Sequence, residues 1–255
     1  LDYQVVSGFF YVAWSFVSFY FLLRELKCSI AASLAGSFIW ALNAFNLNYA
    51  NEQVYAIFHI VVPFSLLAIK RLLHKHSNRF LWFPLLVIAT GFLLLTGRWA
   101  LVQYCFVFYV FWSVSFSNSW ASASRIVGSL FLVLFCAFFL TCYFSYPYIF
   151  EVILSSYRSS EPASPKYVHW LRLLLDHLAP GLSSDAASYF TPLVFIPFAV
   201  LGYWTPSRIR IFCLITLLVF IFLSHDFGIF SLIQKLPLQS GNVVTIRFVF
   251  FYYLG

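Results

Sequence analysis

The sequence has few charged residues and no methionine. Only 9% of its 255 residues are charged, whereas 62% are hydrophobic, and the mean hydropathy is +0.89. A soluble domain with so few charges would have a largely apolar surface, so the composition excludes an ordinary soluble globular protein. Because the chain lacks an initial methionine and ends in an apolar run, 243–255, shorter than the roughly 20 residues that a bilayer requires, we expect a fragment with a truncated final span.

Sequence motifs of soluble enzymes are also missing. The chain contains no P-loop, dinucleotide-binding glycine pattern, HExxH, paired CxxC or GxSxG motif. The sequence therefore identifies no cofactor and predicts no metal site. His59, inside an apolar segment, is predicted to be a hydrogen-bonded core histidine. The cysteines lie in apolar segments without ligand spacing and are predicted to be small core residues. They are Cys28, Cys105, Cys136, Cys142 and Cys213.

The charges that are present are sorted between alternate loops. Nine Lys and Arg residues and one acid, Glu25, lie in segments 24–27, 70–79, 117–125 and 205–210. The other polar segments hold six Lys and Arg residues and seven acids. Since basic residues are retained in the cytoplasm during membrane insertion, the first group of loops is predicted to be cytoplasmic and the second to lie outside. Basic loops beside anionic membrane lipids also explain the pI near 9.2, so no nucleic-acid partner is predicted.

Eight apolar runs separate these loops. Each run is continuous, which favours helices, because a membrane β-barrel would need alternating segments of about ten residues. The predicted fold class is an all-α polytopic transmembrane helix bundle, a single multispanning domain over residues 1–255 with eight spans and a truncated ninth. The predicted spans are 5–23, 28–47, 54–69, 80–96, 99–116, 126–150, 189–204 and 211–224.

The outer loop at 151–190 contains a segment with helix signals at both ends. A Ser-Pro pair at 164–165 is typical of a helix start, and a Pro-Gly pair at 180–181 is typical of a helix end. Apolar and charged residues between them fall on opposite faces, which predicts an amphipathic helix over 165–178 in the membrane interface. Such a helix either seals the bundle or holds a lipid-linked substrate, with Arg172 and Lys166 near the headgroup phosphates.

Polar side chains on the predicted outer side are the candidates for chemistry. Glu52 follows the second span, where its carboxylate would bind a sugar or accept a proton, or would simply belong to a polar turn. Arg98, with Gln103 about one turn deeper, suits a phosphate because its guanidinium donates two hydrogen bonds to one oxyanion. The alternative for Arg98 is snorkelling to lipid headgroups. Glu151, just beyond the sixth span, is either an acid or base or a solvated loop residue.

Several segments resemble a known membrane family. They are LLREL at 22–26, PFSLLA at 63–68 followed by two basic residues, the LTGR turn at 95–98, and the segment 146–158 that begins with Tyr-Pro. Their order is similar to that in YfhO-like bacterial membrane proteins, which belong to the GT-C superfamily of polytopic glycosyltransferases. Arg98 stands where that family usually has histidine.

The resemblance implies a glycosyltransferase of the bacterial plasma membrane with its active cavity on the outer side. Its donor would be a polyprenyl-phosphate sugar, its acceptor a cell-envelope glycan or lipid, and its reaction inverting, with a carboxylate base. The family's catalytic acid lies in the first outer loop, near which Asp2 is the candidate. Residues assigned to catalysis are Asp2, Glu52 and Glu151. Residues assigned to substrate binding are Arg98, Gln103, Arg158 and Arg172.

Two other functions fit the same polar groups. The leading alternative is a transporter or lipid flippase that uses them for passage, and the other is a non-catalytic membrane scaffold. An acidic pair in an outer loop upstream of Leu1 would favour the transferase, whereas a mirrored set of spans would favour transport.

Overall fold

The computed structural model describes residues 3–42, 53–74, 78–97 and 99–154. Within these ranges the chain forms six α-helices and no strand, which confirms the all-helical prediction for this part of the chain. The helices are α1 (Tyr3–Glu25), α2 (Ile30–Ala41), α3 (Gln53–Leu73), α4 (Arg79–Leu95), α5 (Trp99–Phe116) and α6 (Trp120–Leu154). They overlap, in order, the first six apolar runs, but among these described helices only α1 and α6 are long and apolar enough to span a membrane. The last two spans, the truncated ninth and the interfacial helix lie outside the described residues.

The chain divides into two compact units, Leu1–Tyr146 and Pro147–Gly255. The first unit contains α1 to α5 and most of α6. Of the second unit, only the last eight residues of α6 are described. The contacts given below all belong to the first unit.

Two helices end at positions that differ from the predicted spans. α2 ends at Ala41 instead of 47, and the Leu42 N–H caps it by donating to the Phe38 carbonyl over 2.9 Å. α3 continues to Leu73 instead of ending at 69, and its last turn contains Lys70 and Arg71. Cations at a helix C-terminus interact favourably with the negative end of the helix dipole, so this extension stabilises the helix.

The start of α6 also differs from the prediction. The helix begins at Trp120, before the predicted start at 126, because Ser119 caps it. The Ser122 N–H donates to the Ser119 Oγ over 3.2 Å, which satisfies one of the free N–H groups of the first turn. Arg125 therefore lies in a helix and not in a loop.

Two helices, α1 and α6, are long and apolar enough to cross a membrane. Their apolar windows are Val6–Glu25 and Trp120–Phe144, of which only 17% and 28% is buried inside the protein. On α6 an outward stripe at four-residue spacing is formed by Phe131, Phe135 and Phe139, which are 57–59% exposed. Exposed apolar faces of this kind are unusual on soluble proteins and indicate membrane association.

The centre of the first unit is α3. It contacts α1 on one side and α4 and α5 on the others. Val62, Ala68 and Ile69 are completely buried, and Leu66 is almost completely buried. A helix that is apolar on most of its circumference is expected at the centre of a bundle, and α3 takes that position.

A proline inside α3 is accommodated by the neighbouring helices. Pro63 has no N–H, so the carbonyl of His59, four residues earlier, loses its usual helical donor. The Trp40 Nε1 of α2 donates to that carbonyl over 3.1 Å, and the Ser15 Oγ of α1 donates to it over 3.4 Å. All these groups are buried, and Phe19 stacks on the Trp40 indole at 4.9 Å. This contact joins α1, α2 and α3. His59 is 1% exposed, which confirms the core position predicted for it.

The cysteine prediction is correct in part. Cys105 is buried on α5, while Cys28 and Cys136 are half-buried, and all the described cysteines are free thiols. Cys28 lies in the turn between α1 and α2, outside any helix. The prediction is wrong for Cys142, which is exposed because it follows the outward stripe of α6 three residues after Phe139. Cys213 lies outside the described residues.

Candidate functional site

The turn between α1 and α2 positions Arg24. The Cys28 N–H donates to the Leu23 carbonyl over 3.1 Å and the Lys27 N–H to the Arg24 carbonyl over 3.0 Å, which is the bonding pattern of a Schellman cap. This cap requires a residue in the left-handed region, and Lys27 supplies it with a φ of 66°. The Arg24 Nη1 then donates to the Cys28 carbonyl over 2.6 Å. The guanidinium is therefore held at the end of α1.

Glu25, the last residue of α1, lies beside two basic side chains at the end of α3. Its carboxylate lies 2.5 Å from the Arg71 Nη2 and 3.7 Å from the His74 Nε2, a contact that becomes an ion pair when the imidazole is protonated. The Glu25 side chain is only 12% exposed, whereas those of Arg71 and His74 are 46% and 57% exposed. The Glu25 carboxylate is thus shielded, and the Arg71 and His74 side chains face outward.

Four helix ends meet around this ion pair. The Arg71 guanidinium lies 5.9 Å from the ring centroid of Trp82 in α4, and the Lys70 Nζ lies 4.1 Å from that of Phe116 at the end of α5. Together with the Glu25–Arg71 pair, these cation–π contacts place the ends of α1, α3 and α5 and the start of α4 at one end of the first unit. We call this end the basic face. It comprises Arg24, Lys27, Lys70, Arg71, Arg79 and Arg125, with Glu25 the only acid among the described side chains.

An open groove begins at the basic face and runs along α1 and α3. Its volume is about 560 Å³, and its walls are mainly apolar. Trp14, Phe21 and Phe64 are among the wall residues, and Arg24, Glu25 and Arg71 close one end. The groove therefore combines an apolar channel with a charged end. Sequence reasoning missed it, although the single acid in otherwise basic loops was a signal that Glu25 has a specific partner.

The turn at Thr96 and Gly97, which precedes the predicted phosphate-binding Arg98 in the sequence, lies at the end of α4 away from the basic face. The Thr96 N–H donates to the Leu93 carbonyl and the Gly97 N–H to the Leu94 carbonyl, both over 3.2 Å. Gly97 has a φ of 67°, a left-handed conformation that glycine adopts readily and that suits a tight turn. Since α4 has 17 residues and rises about 1.5 Å per residue, this turn lies roughly 25 Å along the helix from the basic face.

The predicted site residues fall largely outside the described part of the chain. Gln103 lies in the early part of α5 and Glu151 in the last turn of α6, but their side chains lie outside the description. The structure therefore does not test whether the predicted residues come together. The residues wholly outside the described ranges are Asp2, Glu52, Arg98, Arg158 and Arg172.

Neither a metal-binding cluster nor a related protein identifies a ligand for the described part of the chain. Among the described residues, no group of three or more His, Cys, Asp or Glu side chains could hold a metal ion. No family model, curated protein or solved structure matches the chain. The resemblance to YfhO-like proteins rests on the sequence segments named above.

Proposed function

We propose that the chain is part of a membrane glycosyltransferase that takes its sugar from a polyprenyl-phosphate donor. The acceptor would be a cell-envelope glycan or lipid at the outer surface of a bacterial plasma membrane. The proposed fold is a bundle of about eight spans and part of a ninth. The proposal is supported by the resemblance to YfhO-like members of the GT-C superfamily and by the arrangement of the basic face and the Gly97 turn.

One structural observation carries most of the argument. The start of α4 and the end of α5 both contact the end of α3, through Trp82 and Phe116, so the two helices run in opposite directions. Gly97, just after α4, therefore lies roughly 25 Å from the basic face. If the basic face is cytoplasmic, as the positive-inside rule requires, the turn lies on the outer side. Arg98 directly follows Gly97 in the sequence, so its guanidinium would be available to a phosphate at the outer headgroup level.

The proposed chemistry is an inverting substitution at the sugar. A carboxylate accepts the proton of the acceptor hydroxyl, whose oxygen attacks the anomeric carbon as the bond to the donor phosphate breaks. The candidate carboxylates are Asp2, Glu52 and Glu151. The arginines would stabilise the charge that develops on the departing polyprenyl phosphate. They are Arg98, Arg158 and Arg172, with Gln103 as a further polar contact.

A transfer assay tests this proposal directly. Full-length protein in proteoliposomes should move labelled sugar from at least one polyprenyl-phosphate donor to a lipid or glycan acceptor. The control is the same protein with each of the three candidate carboxylates replaced in turn by the corresponding amide, and at least one replacement should abolish transfer. Failure of the wild type with a broad donor panel would reject the transferase and favour the transporter, which flux measurements in the same vesicles would detect.

Orientation gives a second test. In a cysteine-free background, Asn78→Cys should resist a membrane-impermeant maleimide on intact cells and react after permeabilisation, because Asn78 is an exposed residue beside the basic face. Ser160→Cys should react on intact cells, since loop 151–190 is predicted to be outside. Labelling of Asn78→Cys from outside would invert the topology and remove Arg98 from the outer side.

A further inference from the structure

The groove along α1 and α3 has the length of one membrane leaflet. It extends from Trp14 to Glu25, a distance of eleven residues along α1, or roughly 16 Å. Half the thickness of the hydrocarbon core of a bilayer is about 15 Å. The groove thus begins at headgroup level, if the basic face lies there, and ends near the midplane. Its volume of about 560 Å³ is within the usual range for ligand sites, roughly 300–1,000 Å³.

The charged end of the groove favours an anion. The Glu25 carboxylate is 12% exposed and is covered by Arg71, which is 46% exposed, so the group that faces outward is the guanidinium. Trp82 lies against the same guanidinium and limits its motion. Arg24 is also exposed and lines the same end. Two oriented guanidinium groups can donate hydrogen bonds to the oxygens of one phosphate, so they favour an anionic headgroup over a neutral one.

We propose that this groove binds an anionic phospholipid from the leaflet beside the basic face. Its phosphate contacts Arg24 and Arg71, and one acyl chain lies against Phe21, Phe64 and Leu67. The apolar walls select a lipid over a free phosphate, and the two arginines select an anionic headgroup over a zwitterionic one. Glu25 positions Arg71 and does not contact the lipid. This site is at the opposite end of α4 from the Gly97 turn, so it does not depend on the proposed transferase activity.

Lipid retention measures this selectivity. The full chain is purified from nanodiscs that contain equal amounts of phosphatidylglycerol and phosphatidylcholine with identical acyl chains, and the retained lipids are counted by native mass spectrometry. We expect about tenfold enrichment of phosphatidylglycerol, which corresponds to roughly 1.4 kcal/mol. Equal retention of the two lipids by the wild type would overturn the proposal.

Three variants separate the two parts of the site. Arg24→Gln should reduce the enrichment severalfold without disturbing the Glu25–Arg71 ion pair, and Arg71→Lys should reduce it while keeping a cation opposite Glu25. Val17→Trp, which fills the groove without a charge change, should reduce retention of both lipids. Circular dichroism and gel filtration verify that each variant remains folded.

The matched control is Arg125→Gln. It removes one charge from the basic face but lies outside the groove, so the enrichment should stay within twofold of wild type. If Arg125→Gln reduces the enrichment as much as Arg24→Gln, general surface charge explains it and the site is rejected. Displacement of the lipid by millimolar glycerophosphate would show a site for the phosphate group alone, which would also reject the acyl-chain part of the proposal.

Discussion

Replacing Trp40 by phenylalanine is expected to destabilise the first unit by about 1–3 kcal/mol. The Trp40 Nε1 donates to the His59 carbonyl over 3.1 Å, and that carbonyl lacks its helical donor because residue 63 is proline. After the substitution the carbonyl keeps the longer contact from Ser15, at 3.4 Å. A weakly satisfied carbonyl in a buried site is costly, since neither water nor lipid can reach it with a donor. Equilibrium unfolding by SDS in mixed micelles, followed by circular dichroism, measures the loss.

Trp112 provides a matched control on the same central helix. Its Nε1 donates to the Leu66 carbonyl, also over 3.1 Å, and Trp112 is as deeply buried as Trp40. Four residues after Leu66 comes Lys70, which has an N–H, so in a regular helix this carbonyl already has a partner. Trp112→Phe should therefore lower the free energy of unfolding by the contribution of the lost packing and by only about 0.6 kcal/mol more, the usual value for a hydrogen bond between membrane helices.

A double-mutant cycle isolates the role of the proline. Pro63→Ala restores an N–H for the His59 carbonyl, so Trp40→Phe should cost about 1 kcal/mol less in that background than in the wild type. The packing loss is common to both backgrounds and cancels. The cost of Trp112→Phe should be unchanged by Pro63→Ala. Equal costs of Trp40→Phe in the two backgrounds would show that the indole N–H does not compensate for the proline.

The helices could be predicted from the sequence, but their inward faces could not. Continuous apolar runs require helices, because every backbone polar group must be satisfied within the membrane. The same uniform apolarity hides which side of each helix is buried. In α2, Ala31, Ala32 and Ala35 share the small size of Ser33, yet only Ser33 among them is buried. The approach of α1 is revealed at Gly36, where a Cβ would lie 2.6 Å from the Leu23 Cδ1.

The basic face could be predicted as a set of loops, because the positive-inside rule acts on composition. Its internal geometry could not, since it depends on contacts between residues far apart in sequence. Glu25 and Arg71 are brought together only when α1 packs against α3. A single acid among nine basic residues was visible in the sequence, but its partner and its burial were not. The predicted outer site rests on sequence and family resemblance, and its test is functional.

Arg98→Lys is expected to lower glycosyl transfer by about tenfold or more, and Arg98→Ala by more still. Lysine keeps the positive charge but loses the planar fork that donates two parallel hydrogen bonds to one phosphate. If Arg98 only reaches the headgroups by snorkelling, lysine would replace it freely, because both side chains carry their charge into water. The two roles thus give different results for the same conservative substitution.

Arg79→Lys is the matched control for this series. Arg79 begins α4 and belongs to the basic face, whereas Arg98 follows the turn at the other end of that helix. The same change at Arg79 should leave transfer unchanged, which excludes a general effect of arginine loss near the membrane. Initial rates are compared at equal protein levels with a saturating polyprenyl-phosphate sugar. Wild-type transfer rates for Arg98→Lys would remove Arg98 from the donor site. Binding of a phosphate through two parallel hydrogen bonds must weaken when one of them is lost, and transfer would then slow.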